Sequence, residues 1–188
     1  MSGEEPVNKE LSPHPFDLLL DIDKRAGSRV PPKVAEVARS AGMRGRLVFR
    51  LGVWNLMLAM QDMSEIIPVP RVTQVPGVKS WLMGIANLRG AVMSVVDLRE
   101  FFDGKSTIPT PNSRLVVVRS GEWSYGLLVD EVIGMRYFGL EKKLPTLNAI
   151  DAKLHSYVTE AFESENQLWL ALNVSGLLNA PEFLDAAN

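Results

Sequence analysis

The sequence predicts a mainly β protein built around two similar small barrels. Three observations predict it. From residue 46 onward the apolar residues fall into short runs of strand length, broken by turn residues. Three hairpin signals stand in these runs, with turns at Gly52-Val53, Gly121-Glu122 and 164–166. The first two hairpins also resemble each other. Arg46-Leu47-Val48, Gly52-x-Trp54 and 56–60 align with Arg114-Leu115-Val116, Gly121-x-Trp123 and 125–129, given one residue of slack. Closing each repeat into a barrel would remove the exposed edges of so many short strands. A chance likeness of two hairpins stays open on these residues alone.

In chain order, residues 1–43 form an N-terminal arm that differs from the rest. It holds Pro6, Pro13, Pro15, Pro31 and Pro32 and few β-branched residues. Residues 16–23 read as a short helix with Pro15 in its first turn. Phe16, Leu19, Leu20 and Asp23 share one face, an apolar stripe that needs a surface to cover. A second short helix is expected over 32–40. The arm is read either as loosely docked and partly disordered or as a helix that packs on the main domain or on a partner.

The main domain is expected over 44–180. Strands 46–51 and 55–60 make the first hairpin, and 62–69 is extended. Residues 81–85 read as a short helix before 86–89. A strand follows over 91–99. The Gly, Ser, Thr and Pro-rich stretch 104–111 reads as a loop and a boundary between the two units. Strands 114–120 and 124–130 make the second hairpin, which 132–138 continues. Strands 157–163 and 167–173 make the third. A short helix covers 175–178, and 181–188 is a C-terminal tail.

The chain has 188 residues, 46% of them hydrophobic, and a formal charge of -2. That balance argues against nucleic acid as a partner. Cysteine is absent, which excludes disulfides and thiol catalysis, and only His14 and His155 supply imidazole. No signal peptide is visible, and no stretch approaches the apolar length of a membrane-spanning helix. A cytoplasmic location without direct membrane insertion is expected. Gly104-Lys105-Ser106 looks like the end of a phosphate loop, but Arg99 stands where the first glycine belongs and prolines follow. His155 has no second ligand nearby. No catalytic, metal or cofactor site is predicted.

The informative stretch is Gly84 to Arg99. Asn87-Leu88-Arg89-Gly90 is a polar turn inside apolar flanks. Arg89 is expected to lie beside buried runs, where a guanidinium needs a carboxylate partner. Asp97 and Glu65 are the candidates. Arg89 either pins the hairpin or sits at a protein-binding surface, and the two are compatible.

Asn87-Leu88-Arg89-Gly90 followed by Val95-Val96-Asp97-Leu98-Arg99 resembles the signature of CheW-like domains, the adaptors of bacterial chemosensory arrays. Trp81-Leu82-x-Gly84, Met63-Ser64-Glu65-Ile66 and the run from Tyr125 to Val132 also fit, in the right order, over about 44–180. Ser94 departs from the proline common in the family. Pro15 to Asp23 resembles the start of PilI-type adaptors, which serve the chemosensory system of type IV pili and twitching motility.

The resemblance implies two five-stranded SH3-like β-barrels with short helices, and no enzymatic activity. It implies two partners, a methyl-accepting chemoreceptor tip and the regulatory domain of a CheA-type histidine kinase, at the membrane-associated chemoreceptor array. Self-association is expected to be weak or absent. Carried over, Met63, Glu65, Ile66, Gly84, Asn87, Arg89 and Gly90 fall on the receptor- and kinase-binding positions. Asp97, Leu98 and Arg99 fall on the structural signature. The strand of Met63, Glu65 and Ile66 would line a receptor-facing groove, and Glu65 and Arg89 are expected to form an ion pair beside it. The alternative is a small-molecule-binding or enzymatic β-barrel, for which no constellation speaks. Met1 and a terminal helix suggest a complete protein, too short to hold a kinase or receiver domain as well.

Overall fold

In the computed structural model, which describes residues 44–138, 142–144 and 152–187, eleven strands form two sheets. The first sheet takes β1 (Arg44–Leu51), β2 (Trp54–Ala59), β8 (Glu131–Phe138), β9 (Lys142–Lys143), β10 (Val158–Ser164) and β11 (Gln167–Leu172). The second takes β3 (Met63–Pro68), β4 (Leu82–Leu88), β5 (Ala91–Asp97), β6 (Arg114–Ser120) and β7 (Trp123–Val129).

Their orders are β8-β1-β2-β11-β10-β9 and β3-β6-β7-β5-β4. The first five strands of one sheet match the five of the other, position by position. In both, the third and fourth strands pair in parallel, as β11 with β2 and β5 with β7. The other pairings are antiparallel. The hairpin likeness therefore marks a true structural repeat. The first sheet adds β9, a two-residue sixth strand on its edge.

Strand periodicity explains how the units join. Leu47, Phe49 and Leu51 on β1, and Leu56 and Leu58 on β2, enter one large core. Val116 and Val118 on β6, and Leu127 and Val129 on β7, enter the same core from the other side. The alternate residues turn into each unit's own interior. Val48, Met57, Trp169 and Ala171 fill the first, and Met93, Val95, Leu115, Val117 and Leu128 fill the second. Both faces of the central strands are thus buried, so the runs read as continuous apolar sequence instead of alternation.

Several sequence expectations are corrected. Residues 81–85 are not a helix: β4 runs from Leu82 to Leu88, with a bulge between Leu82 and Gly84. The strand expected over 91–99 ends at Asp97, where helix α1 (Leu98–Asp103) begins. Asp97 Oδ1 accepts hydrogen bonds from the Arg99 and Glu100 amides, which ends the strand by capping the helix. The stretch 104–111 is no boundary, because the second sheet lies on both sides of it.

Strand β8 does not continue the second hairpin but crosses to β1. Asp130 marks the crossing: its Oδ2 accepts from the Gly52 amide at 2.5 Å, and its own amide donates to Arg50 O. Residues 181–187 do not form a tail. After α2 (Ala152–His155) and α3 (Val174–Leu178), α4 (Pro181–Leu184) docks by Phe183, which is buried and stacks on Trp81. Tyr157, buried beneath α4, donates a hydrogen bond to Glu182. The arm and its two expected helices lie outside the described residues.

Candidate functional site

Strand β4 ends in a two-residue turn, Arg89-Gly90, that leads directly into β5. Arg89 has φ +52° and Gly90 φ +90°, the left-handed pair of a tight hairpin turn. Such turns favour Asn-Gly, and glycine serves the second position here at no steric cost. Arginine at the first position carries a modest backbone strain that asparagine or glycine would avoid, as Glu165 does at the same φ in the β10–β11 turn. Asn87 steadies the turn, its Oδ1 accepting from the Gly90 amide at 2.9 Å.

The turn presents Arg89 outward. Its side chain is 80% exposed, so the expected burial beside apolar runs is not found. Those runs fold away on the two sides of the sheet, and the two turn residues project beyond it. Arg89 Nη2 lies 2.9 Å from Glu65 Oε2, as the sequence reading expected. Asp97, the other candidate, is buried at the far end of β5. There its carboxylate also accepts from Thr107, from the amide to Oδ2 at 2.6 Å and from Oγ1 to Oδ1 at 2.9 Å.

Glu65 stands on β3, one edge strand of the second sheet, and Arg89 follows β4, the other edge. The pair therefore spans the two edges of the sheet. Being exposed on one side, it contributes little to stability by itself.

Met63 and Ile66 face the opposite way from Glu65. A register shift between Met63 and Glu65 places them with Val118 and Val116, on the side of the shared core. Met63 is partly buried and lines a groove of about 320 Å³ with Gln61, Arg119, Val174 and Leu178. Ile66 is 37% exposed. Gly84 has a backbone role: φ is +139°, and a Cβ there would stand 2.1 Å from Thr73 O. Thr73 and Ile85 exchange both backbone hydrogen bonds at that point. Leu98 is fully buried, and the Arg99 guanidinium lies against Gly52 in the first hairpin turn, joining the two units.

Glu65, Asn87, Arg89 and Gly90 thus gather at one turn, Met63 and Ile66 line the adjoining face, and Gly84 supports β4. The sequence reading did not single out a row of bare apolar side chains beside them. Ile85, Val92 and Trp123 are exposed on the outer face of the second sheet. Nothing in the sequence marks Trp123 as bare, because its counterpart Trp54 packs on the shared core. Among the described residues, no cluster of three or more His, Asp or Glu is placed to hold a metal. No described helix is long and apolar enough to cross a membrane.

Two matching five-stranded arrangements that share one core, with an Arg–Glu pair displayed at one hairpin turn, define a double-barrel fold. The CheW-like domain family matches residues 46–182. Protein PilI of Pseudomonas aeruginosa is 33% identical over 176 residues, covering 92% of this chain and 96% of that one. Protein FrzA of Myxococcus xanthus is 30% identical over 131 residues, 69% of this chain and 82% of that one. In fold, the chain is similar to the scaffolding protein CheW of Thermoanaerobacter tengcongensis, with a TM-score of 0.65 at 21% identity. That match covers 74% of this chain and 90% of the other. The chain belongs to the CheW-like family.

Proposed function

We propose that this protein is a non-catalytic coupling adaptor of a chemosensory two-component pathway. It links a methyl-accepting chemoreceptor to the regulatory domain of a CheA-type histidine kinase at the membrane-associated receptor array. The output we assign is type IV pilus twitching motility. The likeness to Protein PilI over nearly the whole of both chains supports that narrower assignment.

One observation carries the reading: Arg89 is held outward on a left-handed turn by Glu65. An exposed guanidinium costs a folded chain nothing to omit, and a left-handed arginine costs something to keep. Its planar fork makes several directed bonds to a partner. Met63 and Ile66 on the adjoining face offer adaptable apolar contact of the kind that takes a helix.

The test is a pull-down from the source cell with the full chain as bait and the partners identified by mass spectrometry. The unaltered protein is expected to retain kinase and receptor. Arg89→Glu is expected to lose at least one of them while its melting temperature stays within about 2 °C, as for a surface change. Unchanged retention of both would remove Arg89 from the site.

A further inference from the structure

The outer face of the second sheet is only partly covered. Register puts Ile85 beside Ser94 and Ser94 beside Tyr125. Two residues back along β5 and β7 stand Val92 and Trp123, which are 67% and 72% exposed. Leu184 on α4 stands at the border of this row and is 59% exposed. Between Ser94, Tyr125, Leu184 and Trp81 opens a pocket of about 160 Å³. A dry cavity of that order accommodates one benzene ring. A sheet face that starts in the core and ends in bare tryptophan and valine needs a cover.

We propose that residues 16–23 of this same chain supply it, with the Phe16 ring in the pocket beside Tyr125 and Leu19 and Leu20 over Val92 and Trp123. Read from its sequence as a helix, the segment would carry an apolar stripe about two turns long, a size that suits this small patch. A second copy of the chain suits it less well, since a stable dimer buries roughly 800 Å² on each partner. Charge is compatible: Asp17 and Asp21 border the stripe, Asp23 lies at its end, and Arg89, paired with Glu65 but open to solvent, stands on the turn at the edge of the face.

Reach also agrees. Twenty residues, 24–43, join the segment to Arg44. With 32–40 read as a helix about 13 Å long and the other eleven residues extended over about 36 Å, they span up to about 50 Å. A body of about 140 residues has a radius of gyration near 14 Å, so every face lies within range. Tethering at that length supplies an effective concentration on the order of millimolar, enough for a weak contact to persist.

The absence of cysteine makes the test clean. Full-length chains carry Ile22→Cys together with either Val92→Cys or Val53→Cys. Val53 is 88% exposed on the first hairpin turn and serves as the reference. A short bismaleimide is added and intramolecular cross-linking is followed in dilute solution. Cross-linking to position 92 is expected to run tenfold or more faster than to position 53, and Phe16→Asp is expected to erase the difference. Equal rates overturn the proposal. So do cross-linked dimers that grow with protein concentration, which would give the face to a second copy.

Discussion

At Gly84 a methyl group has no room. The backbone carbonyl of Thr73 occupies the place a Cβ would take, and φ there lies in a region that side chains avoid. Gly84→Ala is expected to cost about 3 kcal/mol, since both the clash and the strained φ count against it. Urea denaturation checks this as a lower midpoint. Arg89 is the contrasting case. It too sits at positive φ, but it points to solvent, so substitutions there are expected to spare the fold. Residue identity showed the Asn-Leu-Arg-Gly turn and the Glu65 partner. Exposure was not legible, because apolar flanks look alike whether they bury a turn or launch it into solvent.

At the scale of elements, the hairpins were legible because their partners are neighbours in sequence and their turns carry glycine. Long-range pairings were not. Nothing local tells β8 to leave β7 for β1, or α4 to fold back on Trp81. Asp130 and Phe183 do this, through contacts that only the assembled structure creates. The docking of α4 also has a pH signature. Burial and the Glu182 carboxylate push the Tyr157 phenol above its ordinary value of 10.0. The folded state therefore keeps this proton where the unfolded chain has lost it. The stabilisation is fully present below pH 10 and falls as pH rises through the alkaline range. Stability curves between pH 8 and 11 are expected to drop at the upper end, and Tyr157→Phe is expected to flatten this part of the drop. An unchanged drop would separate Tyr157 from it.

For the whole molecule, the shared core decides the behaviour. Leu47, Phe49, Val116 and Leu127 belong to one cluster though they come from different barrels. Neither barrel can open without stripping apolar surface from the other, so unfolding is expected as one cooperative transition. Tryptophan fluorescence reports both units, through Trp169 in the first and Trp81 beside the second. Its melting curve should coincide with that from circular dichroism, and two separated midpoints would refute a joint core. The two-barrel architecture was legible from a repeat in the sequence. The way the repeats interleave was not, because the first sheet draws its strands from both ends of the domain.

The adaptor reading rests on a charge that is displayed, not merely paired. The most direct test titrates the purified full chain with the regulatory domain of the CheA-type kinase, and separately with a receptor tip fragment. Three forms are compared: unaltered, Arg89→Glu, and Arg89→Glu with Glu65→Arg. The double exchange rebuilds the ion pair with its charges reversed. Both altered forms are predicted to keep the unaltered melting temperature and to bind at least one partner tenfold or more weaker, about 1.4 kcal/mol. Full recovery of binding in the double exchange, or no loss in Arg89→Glu, would contradict the account.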